Sequence, residues 1–560
     1  MLLRSGAPLH ILLLAALCGL LYFPYLGNTP FFDKGEPREA LAVQDIVQRG
    51  EWLFPLKRAS AIPSKPPLFH WSAALAYQFT GSLEEATIRF PSAFYATLGV
   101  LLLYLLGRKL YGGEVALLAA AILATTLIYI NQALSARVDM TLCFFVTASL
   151  ILFYALYKAY LRHSLWYFAL YGIVGVGAMA KGPLGILLPA LVVAVFLVVK
   201  KRWDLFLRFA FHPGVILTLL LAGGWYGLAI SRGGEGFVDR QLLEENFERF
   251  FGGSGHSHPV YYYVSYLFSL GLPWSLFLPF VLWDFHRKGR LSDDDKLFPM
   301  VWFIAMFVFF SASMGKRPVY LLPLYPAISL LVALWLWHAE AAAGVRLYLF
   351  RAVALFAGVT AGVLLLVVLG DFWSHDPGWF FSPVESLLKP KDRANFAVIK
   401  NDLSNFGWRF DAAASIAGLS WLAVAYFLWR GRLRQTAVGL MLAAIVLASA
   451  GRAFIVPKIS ESRSYRDFVE EINRRVGPGE KLYLYGSFNS DPVLFYRGAV
   501  IEELQEAVQV GSGQSYIIMD ERSWKKIQKL KPDLPSPLLV SRGTGPEGSA
   551  RLVLVRAEVS

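Results

Sequence analysis

Four stretches of this 560-residue chain set a basic side chain beside glycine or proline, where a turn can fix a charge: Gly35-Glu36-Pro37-Arg38, Lys65-Pro66-Pro67, Lys181-Gly182-Pro183 and Gly315-Lys316-Arg317-Pro318. Fixed cations lower the barrier of a reaction whose leaving group gains negative charge, as a departing phosphate does. Lys181, Lys316 and Arg317 suit that task, although cations at membrane turns also bind lipid headgroups or snorkel. A fifth stretch, Ser135-Ala136-Arg137-Val138-Asp139, offers a carboxylate beside an arginine that would keep it ionised and in place. Asp139 is also a favoured cap for a helix starting at Met140. Glu36 stands just before Pro37, a residue suited to the first position of a helix, where a carboxylate is favoured by unpaired N–H groups and the helix dipole.

The elements that must hold these side chains are membrane helices. Of the chain's residues 56% are hydrophobic and 17% charged, and the mean hydropathy is +0.49, which excludes a water-soluble protein of this size. The net charge of +13 comes from short basic clusters between apolar runs, a pattern of membrane orientation rather than of nucleic-acid binding. Cys18 and Cys143, the only cysteines, lie in apolar segments, so neither a disulfide framework nor a thiolate metal site is expected. Runs of about 20 apolar residues predict about 13 spans, near residues 9–27, 86–107, 113–131, 139–160, 164–180, 183–199, 213–231, 261–285, 298–314, 318–338, 347–370, 410–429 and 436–453. The first is read as an uncleaved span. With the N-terminus inside, the short clusters around Arg108, Lys158, Lys200, Arg287, Arg346 and Arg430 all fall on the inner side. The outer side then receives residues 28–85, the turns carrying Asp139, Lys181 and Lys316, and the loop 232–260. Pro37 to Val47 and Pro66 to Phe79 read as short amphipathic helices in the membrane interface. Residues 1–454 thus form a transmembrane domain, and residues 455–560 a small soluble α/β domain on the non-cytoplasmic side.

The ordered set Phe31-Phe32-Asp33-Lys34-Gly35-Glu36-Pro37-Arg38-Glu39, Ser64-Lys65-Pro66-Pro67-Leu68-Phe69-His70-Trp71, Arg89-Phe90-Pro91-Ser92, Ser135 to Asp139, Lys181 to Gly185, Glu245-Asn246-Phe247, His256 to Tyr263, Leu272-Pro273-Trp274 and Lys316 to Pro323 resembles one family. It is that of the lipid A aminoarabinose transferases and protein O-mannosyltransferases, integral-membrane glycosyltransferases with the mostly α, multi-span GT-C fold. The resemblance covers roughly residues 20–340. It implies transfer of a sugar, such as 4-amino-4-deoxy-L-arabinose, from a polyprenyl-phosphate (undecaprenyl-phosphate) donor to lipid A or another envelope glycolipid, at the periplasmic face of a bacterial inner membrane. It also implies that Arg38 and Lys65 hold the donor phosphate, that Asp139 is an acidic site residue, and that His256 and Tyr320 stand near the donor or the outer loop; Arg137, beside Asp139, is read with them as a substrate-binding residue.

Two departures matter. Where the aminoarabinose transferases pair an Asp with the Glu of the first motif, this chain has Gly35, and their acidic residue before the motif lysine is Ser64 here. The first departure makes Glu36 rather than Asp33 the expected working carboxylate beside Asp139, pointing toward an outer cavity, with Asp33 a solvated loop charge. The second leaves His256 and His258 a poor metal site, so no metal and no other cofactor is expected. Transfer to a protein is the alternative among transferases. A lipid-linked-substrate transporter or flippase is the alternative of another class, but it would carry ionisable groups at mid-span, which are nearly absent here. The unit after residue 455 has no recognisable catalytic set and is expected to serve acceptor binding or stability, leaving donor binding intact.

Overall fold

The computed structural model describes residues 6–56, 58, 61–62, 65–239, 258–288, 293–338, 345–374, 385–386, 393, 396–398, 407–477, 479–504, 509–531, 536–548 and 550–558. After α1 (Ala7–Tyr22) come two short helices, α2 (Glu36–Arg49) and α3 (Leu68–Thr80). The bundle then continues with α4 (Glu85–Tyr111), α5 (Gly113–Ala124), α6 (Leu127–Ala133), α7 (Val138–Tyr157), α8 (Leu165–Lys181) and α9 (Leu184–Val199). Proline placement sets the starts of α2 and α3, since Pro37 occupies the first turn of one and Pro66-Pro67 immediately precedes the other.

Each of the thirteen predicted stretches falls on an apolar helix or a bent helix pair. Among the described residues, however, seven helices are long and apolar enough to cross a membrane, or nine if each bent pair is one span. Length and composition therefore support fewer crossings than expected. The stretch 113–131 breaks between α5 and α6 with a 64° bend, and 261–285 breaks between Tyr262–Leu270 and Trp274–Arg287 with a 114° bend. At the first break the hydroxyls of Thr125 and Thr126 turn back onto the carbonyls of Ala121 and Ile122 at 2.7 Å, competing with the helix ladder.

α7 fixes which groups share an end of the bundle. Its twenty residues span roughly 30 Å, with Asp139 at one end and Tyr157 at the other. At the Tyr157 end, Lys158 pairs with Asp295 at 3.0 Å and Lys200 with Asp294 at 2.7 Å. Both aspartates open the helix Asp294–Ala312, where the dipole favours negative charge. Two predicted inner loops thus meet at the end remote from Asp139.

Beyond the bundle, residues 465–558 form a five-stranded sheet with order β2-β1-β3-β5-β4, from β1 (Leu482–Tyr485), β2 (Glu502–Leu504), β3 (Gln509–Asp520), β4 (Leu539–Val540) and β5 (Leu552–Glu558). β1 runs parallel to β2 and β3, while β5 is antiparallel to β3 and β4. The last apolar helix runs from Leu433 to Ser462, past residue 455.

The α/β unit does not stand apart from α2 and α3. Phe31, Leu41, Val43, Phe69 and Ala73 share one buried core with Phe468, Val469, Leu494 and Phe495. The Tyr496 hydroxyl accepts from the Phe31 N–H at 2.8 Å and donates to Glu85 Oε1 at 2.7 Å, and Arg58 reaches Asp491 at 2.7 Å. α2 and α3 are therefore held between the bundle and the α/β unit rather than laid only in an interface. Tyr496→Phe removes a hydrogen bond to a carboxylate, which is worth about 1.5–3 kcal/mol, and should lower the melting temperature and loosen the loop 28–36. Unchanged melting together with unchanged donor binding would show that the unit is separable, as its sequence suggested.

Candidate active site at the Asp139 end of the bundle

The loop from Leu26 to Glu36 is shaped from beneath by one arginine. Arg89, on the first turns of α4, donates through Nη1 to the carbonyls of Leu26 at 2.9 Å and Thr29 at 2.8 Å. Its Nε and Nη2 meet the two oxygens of Glu36 at 2.8 and 2.9 Å. Glu36 Oε1 also accepts from the Ala136 N–H at 3.0 Å, which ties this loop to the start of α7. Glu36 is 2% exposed and Arg89 1%. The expectation that Glu36 points into an outer cavity is thus corrected: its oxygens are taken up by a buried arginine and a backbone donor.

Gly35 leaves room for a neighbouring side chain. A Cβ there would lie 2.5 Å from the guanidinium carbon of Arg137, whose tip occupies the space an aspartate would need. Arg137 crosses Gly35 to bond Asp33 Oδ1, which also accepts from the Gly35 N–H at 2.7 Å. Asp33 is therefore not a solitary loop charge, yet its side chain remains 46% exposed.

Asp139 lies in the first turn of α7 rather than at its cap, which is Arg137 in extended conformation. Its carboxylate is directed at the Lys181 ammonium. Lys181 ends α8, where Gly182 takes φ 74°, a left-handed conformation that allows the chain to turn at once into α9. The same ammonium lies 4.7 Å from the centre of the Tyr320 ring, which packs on Phe310. Lys65, just ahead of α3, is within electrostatic reach of Asp139, and so is Arg137. Asp33, Arg137, Asp139, Lys181, Lys65 and Tyr320 are thus brought into one neighbourhood.

Arg38 leads a second arm. Its Nε and Nη2 donate to Glu39 Oε1 at 3.1 and 2.8 Å, and Glu39 Oε2 lies 2.9 Å from His70 Nε2. Burial pushes the Glu39 carboxyl up, but Arg38 and the bond from His70 outweigh it and hold it well below the usual carboxylate range. Lys316 is 3% exposed and donates to the Ser313 carbonyl. Among the described residues no carboxylate forms an ion pair with it. The Arg317 backbone is clamped by buried Tyr263, whose hydroxyl accepts from its N–H and donates to its carbonyl, each at 3.1 Å. His256 and the Glu245 motif lie outside the described residues. Among those described, no group of three or more His, Cys, Asp or Glu stands where it could hold a metal ion.

The sequence motifs contain Arg89 and His70 without giving them work and offer Glu39 only as a support of the helix cap, and they do not single out Tyr263 or Tyr496. Only Arg89 carried a usable signal, an arginine among apolar residues near a helix start, where a buried cation needs a partner.

A family model described as dolichyl-phosphate-mannose-protein mannosyltransferase matches residues 64–225. A crystal structure of ArnT from Cupriavidus metallidurans bound to undecaprenyl phosphate superposes with TM-score 0.75 over 98% of both chains, at 21% identity. This chain is a membrane protein with the GT-C fold seen in ArnT. The GT-C fold extends to a more distant neighbour, the archaeal oligosaccharyltransferase AglB from Archaeoglobus fulgidus, at TM-score 0.51, 12% identity and coverage of 92% of this chain and 69% of that one. In sequence, an uncharacterized protein of Aquifex aeolicus is 31% identical over 56% of this chain, and the match spans 61% of that protein's length. The undecaprenyl phosphate-alpha-4-amino-4-deoxy-L-arabinose arabinosyl transferase of Pectobacterium atrosepticum is 28% identical over 74% of this chain and 72% of its own. Both arms of the site lie at the starts of α2, α3 and α7, at the end of α8 and on the loops that precede them.

Proposed function

We propose that the protein transfers a sugar, 4-amino-4-deoxy-L-arabinose or a close relative, from a polyprenyl-phosphate donor to lipid A or another envelope glycolipid on the non-cytoplasmic side of the membrane. The observation that carries this reading is the convergence of Arg137, Lys181 and Lys65 on two carboxylates, Asp33 and Asp139, at one end of an apolar bundle. Breaking the bond between sugar and phosphate leaves a phosphate with added negative charge, and preorganised cations stabilise it as that charge forms. Lys65, Lys181 and Arg38 take that work, with Lys316 and Arg317 on the neighbouring turn and Tyr320 fixing the Lys181 ammonium. Asp33, the more exposed carboxylate, receives the proton of an acceptor hydroxyl. Asp139 holds Lys181 in place, and Glu36 holds the loop.

Purified protein in liposomes, given undecaprenyl-phosphate-linked aminoarabinose and lipid A, should yield lipid A heavier by one sugar in mass spectrometry. Deletion and complementation should remove and restore the same mass in cells. No sugar transfer from any of a panel of polyprenyl-phosphate donors would sink the proposal.

The orientation has its own test. Cys18 and Cys143 are buried, so single cysteines at exposed Ser487 and Ser164 can be read against a silent background. In intact spheroplasts an impermeant thiol reagent should label position 487 and spare 164. The reverse pattern would invert the protein.

A further inference from the structure

We propose that Glu39 and His70 are positioning residues that aim the Arg38 guanidinium, an inference that rests on the reading of Arg38 as a ligand of the donor phosphate. Neighbouring residues on a helix do not face each other, yet Arg38 and Glu39 are bonded side chain to side chain, at 3.1 and 2.8 Å. What makes that geometry available is the far side of the carboxylate. Glu39 Oε2 is held at 2.9 Å by His70 Nε2 from α3, and both residues are buried, Glu39 at 5% and His70 at 1% exposure.

The protonation pattern is set by chemistry. An ionised carboxylate only accepts hydrogen bonds, so His70 Nε2 carries the hydrogen. His70 Nδ1 is buried and has no hydrogen-bond partner among the described residues, which costs free energy and makes His70 a dear way to join two helices that apolar contacts already join. Both bonds to Glu39 use the edge of the guanidinium formed by Nε and one Nη. The end edge, Nη1 with the second hydrogen of Nη2, is not used by Glu39, and an edge of that kind can meet two phosphate oxygens at once. Arg38 is itself partly exposed, at 27% of its side chain, while its two supports are not.

The expected signature is a loss of orientation without a loss of attraction. In purified full-length protein, Glu39→Gln and His70→Leu should lower kcat about tenfold to a hundredfold, the scale of a misplaced catalytic group. KM for the lipid-linked donor should not rise in Glu39→Gln, because removing the Glu39 charge strengthens the pull of Arg38 on an anion, nor in His70→Leu, which leaves both charges as they are. His70→Gln, which presents an N–H close to the place of Nε2, should recover most of the rate. In an Arg38→Ala background, Glu39→Gln should cost nothing more, since the group it aims is gone. Equal losses in the two backgrounds, or kcat within twofold of wild type for both Glu39→Gln and His70→Leu, would overturn the proposal. If Glu39→Gln fails to fold, the His70→Leu and His70→Gln pair gives the same reading, and equal rates for the two would count against it. Full activity of Arg38→Ala would be a different failure, removing Arg38 from the site and its supports with it.

Discussion

Alanine at Arg38 or at Lys65 should slow sugar transfer by about a hundred- to a thousandfold while leaving a folded membrane protein. That range corresponds to the roughly 2.7–4 kcal/mol typically lost with one preorganised donor to a developing anion. On the proposed reading, the two positions reach the phosphate from different supports. Arg38 stands on α2 against Glu39, whereas Lys65 precedes α3 and acts on Asp139 from across the site. Each loss should therefore appear mainly in the chemical step, and single-turnover rates with preloaded donor would read it directly. Arg38→Lys keeps the charge but not the two-pronged edge, so it should recover only part of the rate. Near-normal single-turnover rates in either alanine variant would release that residue from the phosphate.

The second large effect separates two carboxylates three residues apart. Glu36→Gln leaves Arg89 buried without its counter-charge, and breaking a buried pair in this way costs about 3–5 kcal/mol. Thermal melting in detergent should fall sharply, with activity lost through the fold. Asp33→Asn should melt near the wild-type temperature, since the Asp33 side chain is 46% exposed and exposed pairs contribute only about 0–1 kcal/mol. Its effect falls on the reaction. With a neutral acceptor hydroxyl, transfer should drop by the roughly 10²–10⁴-fold that follows loss of a general base. An acceptor phosphate is already anionic and needs no base, so the drop there should be smaller and come from a displaced Arg137. Wild-type melting of Glu36→Gln with a normal rate for Asp33→Asn would reverse the two roles.

How much of this was legible depended on whether the information was local. The apolar runs marked every long helix, because 20 apolar residues in a row have few other uses, and basic loops such as those of Lys158 and Lys200 met at one end as their charge implied. The turns carrying Arg137, Lys181 and Lys65 were found for the same reason: each is a cation beside a chain feature that fixes it. What could not be read was pairing. Nothing in Glu36 and its neighbours announces that Arg89, 53 residues on, takes both its oxygens, nor that Asp139 ignores the helix cap for Lys181. Helix breaks at Thr125 and near Pro273 were hidden because hydropathy averages across a bend. The α/β unit was recognised as a unit but not as a support of Phe31 and the start of α4, since the contact of Tyr496 with Phe31 and Glu85 spans more than 400 residues.

Gly35 also has a mechanical consequence. With the tip of Arg137 lying where a side chain at 35 would begin, any residue other than glycine there must push the guanidinium aside, and that guanidinium is the group bonded to Asp33. The bare backbone at 35 is therefore the floor on which the Asp33–Arg137 pair rests.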